Sequence, residues 1–180
     1  MVNYNVADTI SSKEIKRLRG ELGLTQKEFA EFMSCSKPTI ERWERSKDGV
    51  SGPEAVLIRI LLDYNEIIDY VKIPEKRYPT RMWYMYKDKK CTLIDVDEMN
   101  QKVEIKNYVR NPVFRAFGNN LTPTYDDYLE FLESRCFPRT RDKIKIELDR
   151  IGVPFYDPYL IVEKTEGRMG EDDFWIQIER

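Results

Sequence analysis

Few side chains in this sequence offer acid–base or metal chemistry. There is no histidine, and the three cysteines, Cys35, Cys91 and Cys136, stand far apart. That removes the imidazole of a hydrolytic triad and the paired Cys or Cys/His spacing of a zinc site. Carboxylates cluster at Glu171-Asp172-Asp173, which reads as a solvated surface turn, and at Asp126-Asp127, which suits the first turn of a helix, where unpaired backbone N–H groups favour negative charge. The cations are more suggestive. Arg135, Arg139, Arg141, Lys143 and Lys145 make a basic run suited to DNA phosphates, to an acidic partner or simply to water, and residues 72–90 hold seven basic side chains against two acidic ones. No glycine-rich phosphate loop or metal motif accompanies them, so the expectation is a protein without catalytic residues, cofactor or metal, whose chemistry is recognition.

Such recognition needs elements to aim it, and residues 25–44 supply them. Thr25 is placed to cap a helix, and Glu28, three residues on, to reach back to the Thr25 amide, which is a capping box. Ser36 caps a second helix. Phe29, Ala30 and Met33 fall on one face of the first helix and Ile40 and Trp43 on one face of the second. Burying both stripes together brings the helices into contact at a steep angle, the layout of a helix-turn-helix.

With Ile15 to Leu24 in front of it, this stretch resembles the phage-repressor (XRE, or Cro/C1) DNA-binding family, especially the form in MqsA-type and HigA-type antitoxins. The matching residues are Leu18, Arg19, Leu22-Gly23-Leu24-Thr25-Gln26, Ala30, Ser36, Ile40 and Trp43-Glu44. The resemblance implies a recognition helix in the major groove of double-stranded DNA, with Lys37, Pro38, Thr39 and Arg42 at its reading positions and Ser36 at its start also in the DNA-binding set. Lys37 or Arg42 can donate to guanine O6 and N7, and Thr39 can bond a base or touch a thymine methyl. Pro38 stands where the family usually has a polar residue and leaves only apolar contact. Gln26 matches a position that bonds a phosphate and braces the recognition helix, while Arg45 and Lys47 are placed for phosphates. Arg19 and Glu44 occupy positions that pair with each other as a structural ion pair.

Elsewhere the pattern is read from residues. Ser11 with Glu14 starts a first helix whose inward face is Ile15, Leu18 and Leu22, and Gly23 ends it. Lys47 to Pro53 is a loop, and Pro53 opens a helix over about 53–70 that is apolar around more than one face. That surplus makes Leu57, Ile60, Leu61, Tyr64, Ile67 and Ile68 the favoured homodimer surface, spacing two recognition helices for a palindromic operator, with the tyrosine-rich face of the later sheet as the alternative. Residues 72–81 read as a linker. Strands follow at 82–86, 91–96 and 103–109, joined as an antiparallel meander. Thr124 opens a helix that Pro138 breaks, Thr140 opens another that Gly152 stops, and the tail reads as a short helix at 159–162 and a strand at 174–178. This half resembles a small domain encoded beside HipA-like kinase toxins, through Tyr84 to Lys89, then Arg135, Pro138 and Arg141, and Asp173 to Ile176.

The expected fold class is therefore α+β: a helix-turn-helix bundle over residues 1–71, a linker at 72–81, and a small antiparallel sheet with helices over 82–180 for oligomerisation or partner binding. A formal charge of −2 and pI near 5.5 give no global attraction to nucleic acid, so a DNA face depends on local asymmetry. No apolar run reaches the length of a membrane span and the start carries no signal pattern, so a cytoplasmic protein is expected. The expected function is transcriptional repression, as the antitoxin of a toxin–antitoxin operon with a toxin partner. The alternatives are a phage or host regulator whose second domain senses a ligand, and an enzyme that a helix-turn-helix delivers to DNA.

Overall fold

The structure, a computed structural model, describes residues 9–64 and 66–179. The chain divides into two compact units, Met1–Lys72 and Ile73–Arg180. The outermost expected domain limits, residues 1 and 180, lie outside the described residues.

In the first unit, β1 (Thr9–Ile10) precedes α1 (Ser12–Glu21), α2 (Gln26–Phe32) and α3 (Lys37–Arg45), and β2 (Val50–Ser51) precedes α4 (Pro53–Asp63) and α5 (Glu66–Val71). Ser11 with Glu14 and Thr25 with Glu28 form complete capping boxes, and Ser36 Oγ accepts from the Thr39 amide. Each satisfies N–H groups that a helix start leaves orphaned. Ile15, Leu18, Phe29, Ala30, Ile40, Trp43, Ala55, Ile58 and Leu61 close one core. Two details were invisible in the sequence. Ile10 pairs with Val50 in a two-residue ribbon, which needs Gly49: its φ is 79°, and a Cβ there would lie 2.7 Å from the Ile10 carbonyl oxygen. The expected helix over 53–70 is two helices, because Tyr64 leaves the helical region at φ −137°, ψ 62°. Asp63 and Tyr64 are weak helix formers in succession, and nothing in propensity carries α4 beyond them.

The second unit contains β3 (Thr80–Tyr86), β4 (Lys89–Asp97), β5 (Lys102–Asn107), α6 (Tyr125–Ser134), α7 (Ile144–Ile151), α8 (Pro158–Thr165) and β6 (Phe174–Glu179). The sheet order is β5-β4-β3-β6, antiparallel throughout. Met82, Tyr84, Ile94, Val96 and Ile176 line the inner face and pack on Tyr128, Phe131, Leu132, Leu148, Ile161 and Val162 from the helices. Alternation turns Trp83, Met85 and Leu93 to the outer face, where Lys90 lies 4.3 Å above the Trp83 ring and the Trp83 indole donates to Glu179 at 2.7 Å. The sheet begins two residues before the expected 82. Arg81 is buried, donating two 2.6 Å bonds to Asp95 and one of 2.9 Å to the Pro74 carbonyl, so part of the expected linker is tied to the sheet. α7 starts at Ile144 and not at Thr140, because the Arg141 amide closes a turn onto the Pro138 carbonyl and Lys143 takes a left-handed conformation at φ 56°.

The basic run and the acidic tail turn out to be partners. Arg135 is buried and donates to both Asp172 oxygens, at 2.8 and 3.0 Å, and to the carbonyls of Gly167 and Phe174. Those bonds, against a smaller cost of burial, hold the Asp172 carboxyl below the usual carboxylate range. Arg139 pairs with Glu133 and Arg141 with Glu147. Asp173 pairs with Lys87, and no group of His, Cys, Asp or Glu among the described residues has the arrangement of a metal site. Arg135 is the staple between α6 and the approach to β6. Replacing it with leucine leaves Asp172 and two carbonyls without their donor, and should cost about 3–5 kcal/mol in chemical denaturation of the full chain. A loss under about 1 kcal/mol would mean that water replaces the arginine freely.

Candidate nucleic-acid interface

Three helices meet at one carboxylate. Glu44, on the inward side of α3, is only 4% exposed. Arg19 of α1 donates to it through Nε at 2.6 Å and Nη2 at 3.3 Å, and also holds the Leu24 carbonyl at 3.1 Å, while Gln26 at the start of α2 donates at 2.8 Å. Burial works against the Glu44 charge, but the bonds from Arg19 and Gln26 and the arginine's own charge outweigh it, so its pKa is lowered; Arg19, in turn, is raised by its bonds to Glu44. Gly23, at φ 64°, reverses the chain between α1 and α2 so that Leu24 meets the same guanidinium. The clasp fixes the pitch of α3 relative to both preceding helices, and the Gln26 amide belongs to it in the unbound protein.

The opposite side of α3 carries Pro38, Glu41, Arg42 and Arg45 at helical spacing, and with Ser46 these line one open depression. Lys37, Pro38, Arg42 and Arg45 are exposed, as is Lys47 just beyond the helix end. Ser36 is also exposed, but its hydroxyl caps α3 and shares a 2.9 Å hydrogen bond with the Thr39 hydroxyl. Arg42 takes part in no ion pair among the described residues. Lys37 and Arg45 both approach Glu41, at 3.5 and 4.0 Å. Ser36, Lys37, Pro38, Thr39, Arg42, Arg45 and Lys47 thus gather on or beside one helix, whereas Arg19, Gln26 and Glu44 gather behind it. Glu41 was not among the expected residues, although its place four residues after Lys37 and four before Arg45 announced the contact.

Residues 15–66 match the helix-turn-helix family model. No curated protein and no solved structure matches the chain. The family match, over the segment that holds both the clasp and the outward stripe, supports a helix-turn-helix DNA-binding domain of the XRE type within the first unit and, with it, a role in DNA-binding transcription regulation. No helix among the described residues is long and apolar enough to cross a membrane.

The clasp carries a pH signature. Glu44 titrates lower when folded than its ordinary 4.5, so its stabilisation is complete above about pH 4.5 and is lost as pH falls through the lowered folded value. Glu44→Gln should therefore cost about 2–4 kcal/mol at neutral pH, because Arg19 loses its counter-charge, and should flatten the acid limb of the stability curve. Thermal melts of both proteins between pH 7 and pH 3 test this; a variant with the acid limb unchanged would remove Glu44 from the account.

Proposed function

We propose that the chain is a sequence-specific repressor that binds a palindromic operator as a homodimer, with α3 in the major groove. The observation that carries this reading is the division of labour on α3: a buried face locked by Arg19, Gln26 and Glu44, and an outward face that presents Pro38, Arg42 and Arg45 beside the exposed Lys37. Arg42 donates to a guanine edge, Lys37 and Thr39 contact bases or phosphates at the first turn, and Arg45 and Lys47 hold the backbone. Pro38 supplies apolar contact. Gln26, beside the α2 N-terminus, turns from the clasp towards a phosphate.

Dimerisation is supported by α4 and α5. Leu57, Ile60, Tyr64, Ile67 and Val71 are each 40–56% exposed, an apolar stripe along α4 and α5. Leu61 does not belong to it, being 2% exposed in the core, and Ile68 packs against that core. A second copy on this stripe would set two recognition helices about 34 Å apart, one turn of DNA. The second unit offers a site for a protein partner, the toxin of the same operon in our reading. A groove there is lined by Cys136, Pro138, Tyr156 and Met169, and Phe155 is 61% exposed.

Arg42→Ala should lose about 1–3 kcal/mol on the operator and relax preference at one base pair, whereas Arg45→Ala should weaken binding while leaving the base preferred at that position unchanged. Binding isotherms on operator and random duplexes decide it, and equal losses for both variants on both duplexes would end the base-reading role of Arg42. Leu57→Glu with Ile60→Glu should leave the full chain monomeric by light scattering and weaken operator binding more than half-site binding. A dimer that survives both changes would move the interface away from α4. Co-purification with the product of the adjacent reading frame is the corresponding check on the antitoxin role, and separate elution of the two would count against it.

A further inference from the structure

Glu41 sets a carboxylate in the middle of a surface that is otherwise built for an anion. It lies one turn after Lys37 and one turn before Arg45, within 3.5 and 4.0 Å of their cationic groups, and shares the outward stripe with Pro38 and Arg42. Structure alone does not require it there. Its two partners are on its own helix and mostly solvated, 54% and 80% exposed, and such pairs contribute little to stability. For plain phosphate attraction the residue is a cost, since it repels the backbone and occupies two cations that would otherwise release counterions.

We infer that Glu41 is a specificity-determining residue that requires an exocyclic base amine, foremost cytosine N4, and restrains binding to every other sequence. The inference rests on the reading that α3 enters the major groove. An ionised carboxylate only accepts hydrogen bonds, and among major-groove edges only the amines of cytosine and adenine donate. Opposite such an amine the carboxylate is satisfied, and Lys37 and Arg45 are released to phosphates. Opposite guanine O6 or thymine O4 it meets another acceptor, stays with its two cations, and their phosphate contacts are forfeited. One side chain thereby couples the identity of a base to the number of backbone contacts.

Selection of binding sites from a randomised duplex pool, followed by affinities across a salt series, tests this on the full chain with and without Glu41→Gln. The variant should bind random duplex about 10-fold more tightly at low salt, with a logarithmic salt dependence steeper by about one to two phosphate contacts. Its selected sites should lose the amine-bearing base at one position while keeping the others. Glu41→Ala, its fold checked by its melting curve, should behave the same way. If glutamine alone changes the preference, the new amide is responsible and the inference fails. An unchanged site and an unchanged ratio of specific to random affinity overturn the role of Glu41 while leaving base reading by α3 intact. A wild-type pool without any consensus overturns both.

Discussion

The geometry of the DNA-binding unit depends on a buried carboxylate that three helices share. Glu44 alone would be an intolerable charge at 4% exposure; with Arg19 and Gln26 bonded to it, it becomes the point at which α1, α2 and α3 fix one another. Apolar packing of Phe29, Ala30, Ile40 and Trp43 brings the helices together, but such contacts are non-directional and tolerate small rotations. The bonds from the guanidinium do not. Because Arg19 also holds the Leu24 carbonyl, the turn ahead of α2 is bound into the same arrangement, and the outward stripe of α3 inherits its direction from this inward network.

Much of this was legible in the sequence because its signals are local. A capping box spans four residues, and helix faces repeat within a dozen, so Ser11, Thr25, Ser36 and Thr124 marked helix starts that the structure places one residue later. The strands were legible from alternation, and the α+β class is the one found. The misses fall where a distant residue decides. Thr140 has the composition of a cap, yet the turn made by Pro138 and Arg141 and the left-handed Lys143 move the cap position to Lys143 and the helix start to Ile144. The β1–β2 ribbon joins residues about forty apart, and nothing within either dipeptide states the pairing.

Charge was the least legible property, because a cation in sequence does not declare its partner. The run from Arg135 to Lys145 reads as a basic surface, but Arg135 is consumed by Asp172 and two carbonyls, and Arg139 and Arg141 meet glutamates. Arg81, counted among the seven cations of residues 72–90, is buried against Asp95. Both buried arginines hold a carboxylate with two nitrogens, Arg81 through Nε and Nη2 and Arg135 through Nη1 and Nη2, and also donate to backbone carbonyls, a geometry that lysine does not reproduce. Two of the second unit's cations, Arg81 and Arg135, are therefore spent on holding the β3–β4 pair and the approach to β6 in place.

That allocation bears on how this chain recognises DNA. At a net charge of −2 it lacks the long-range field that speeds and strengthens indiscriminate binding. On α3 itself, Glu41 offsets part of the local positive charge as well. A domain with so little general attraction spends little time on random sequence, so the contacts that remain weigh more heavily in the ratio of operator to random affinity. The low basicity of the chain then works as a condition of selectivity: affinity for DNA must come from correctly matched edges and local contacts, not from a global field.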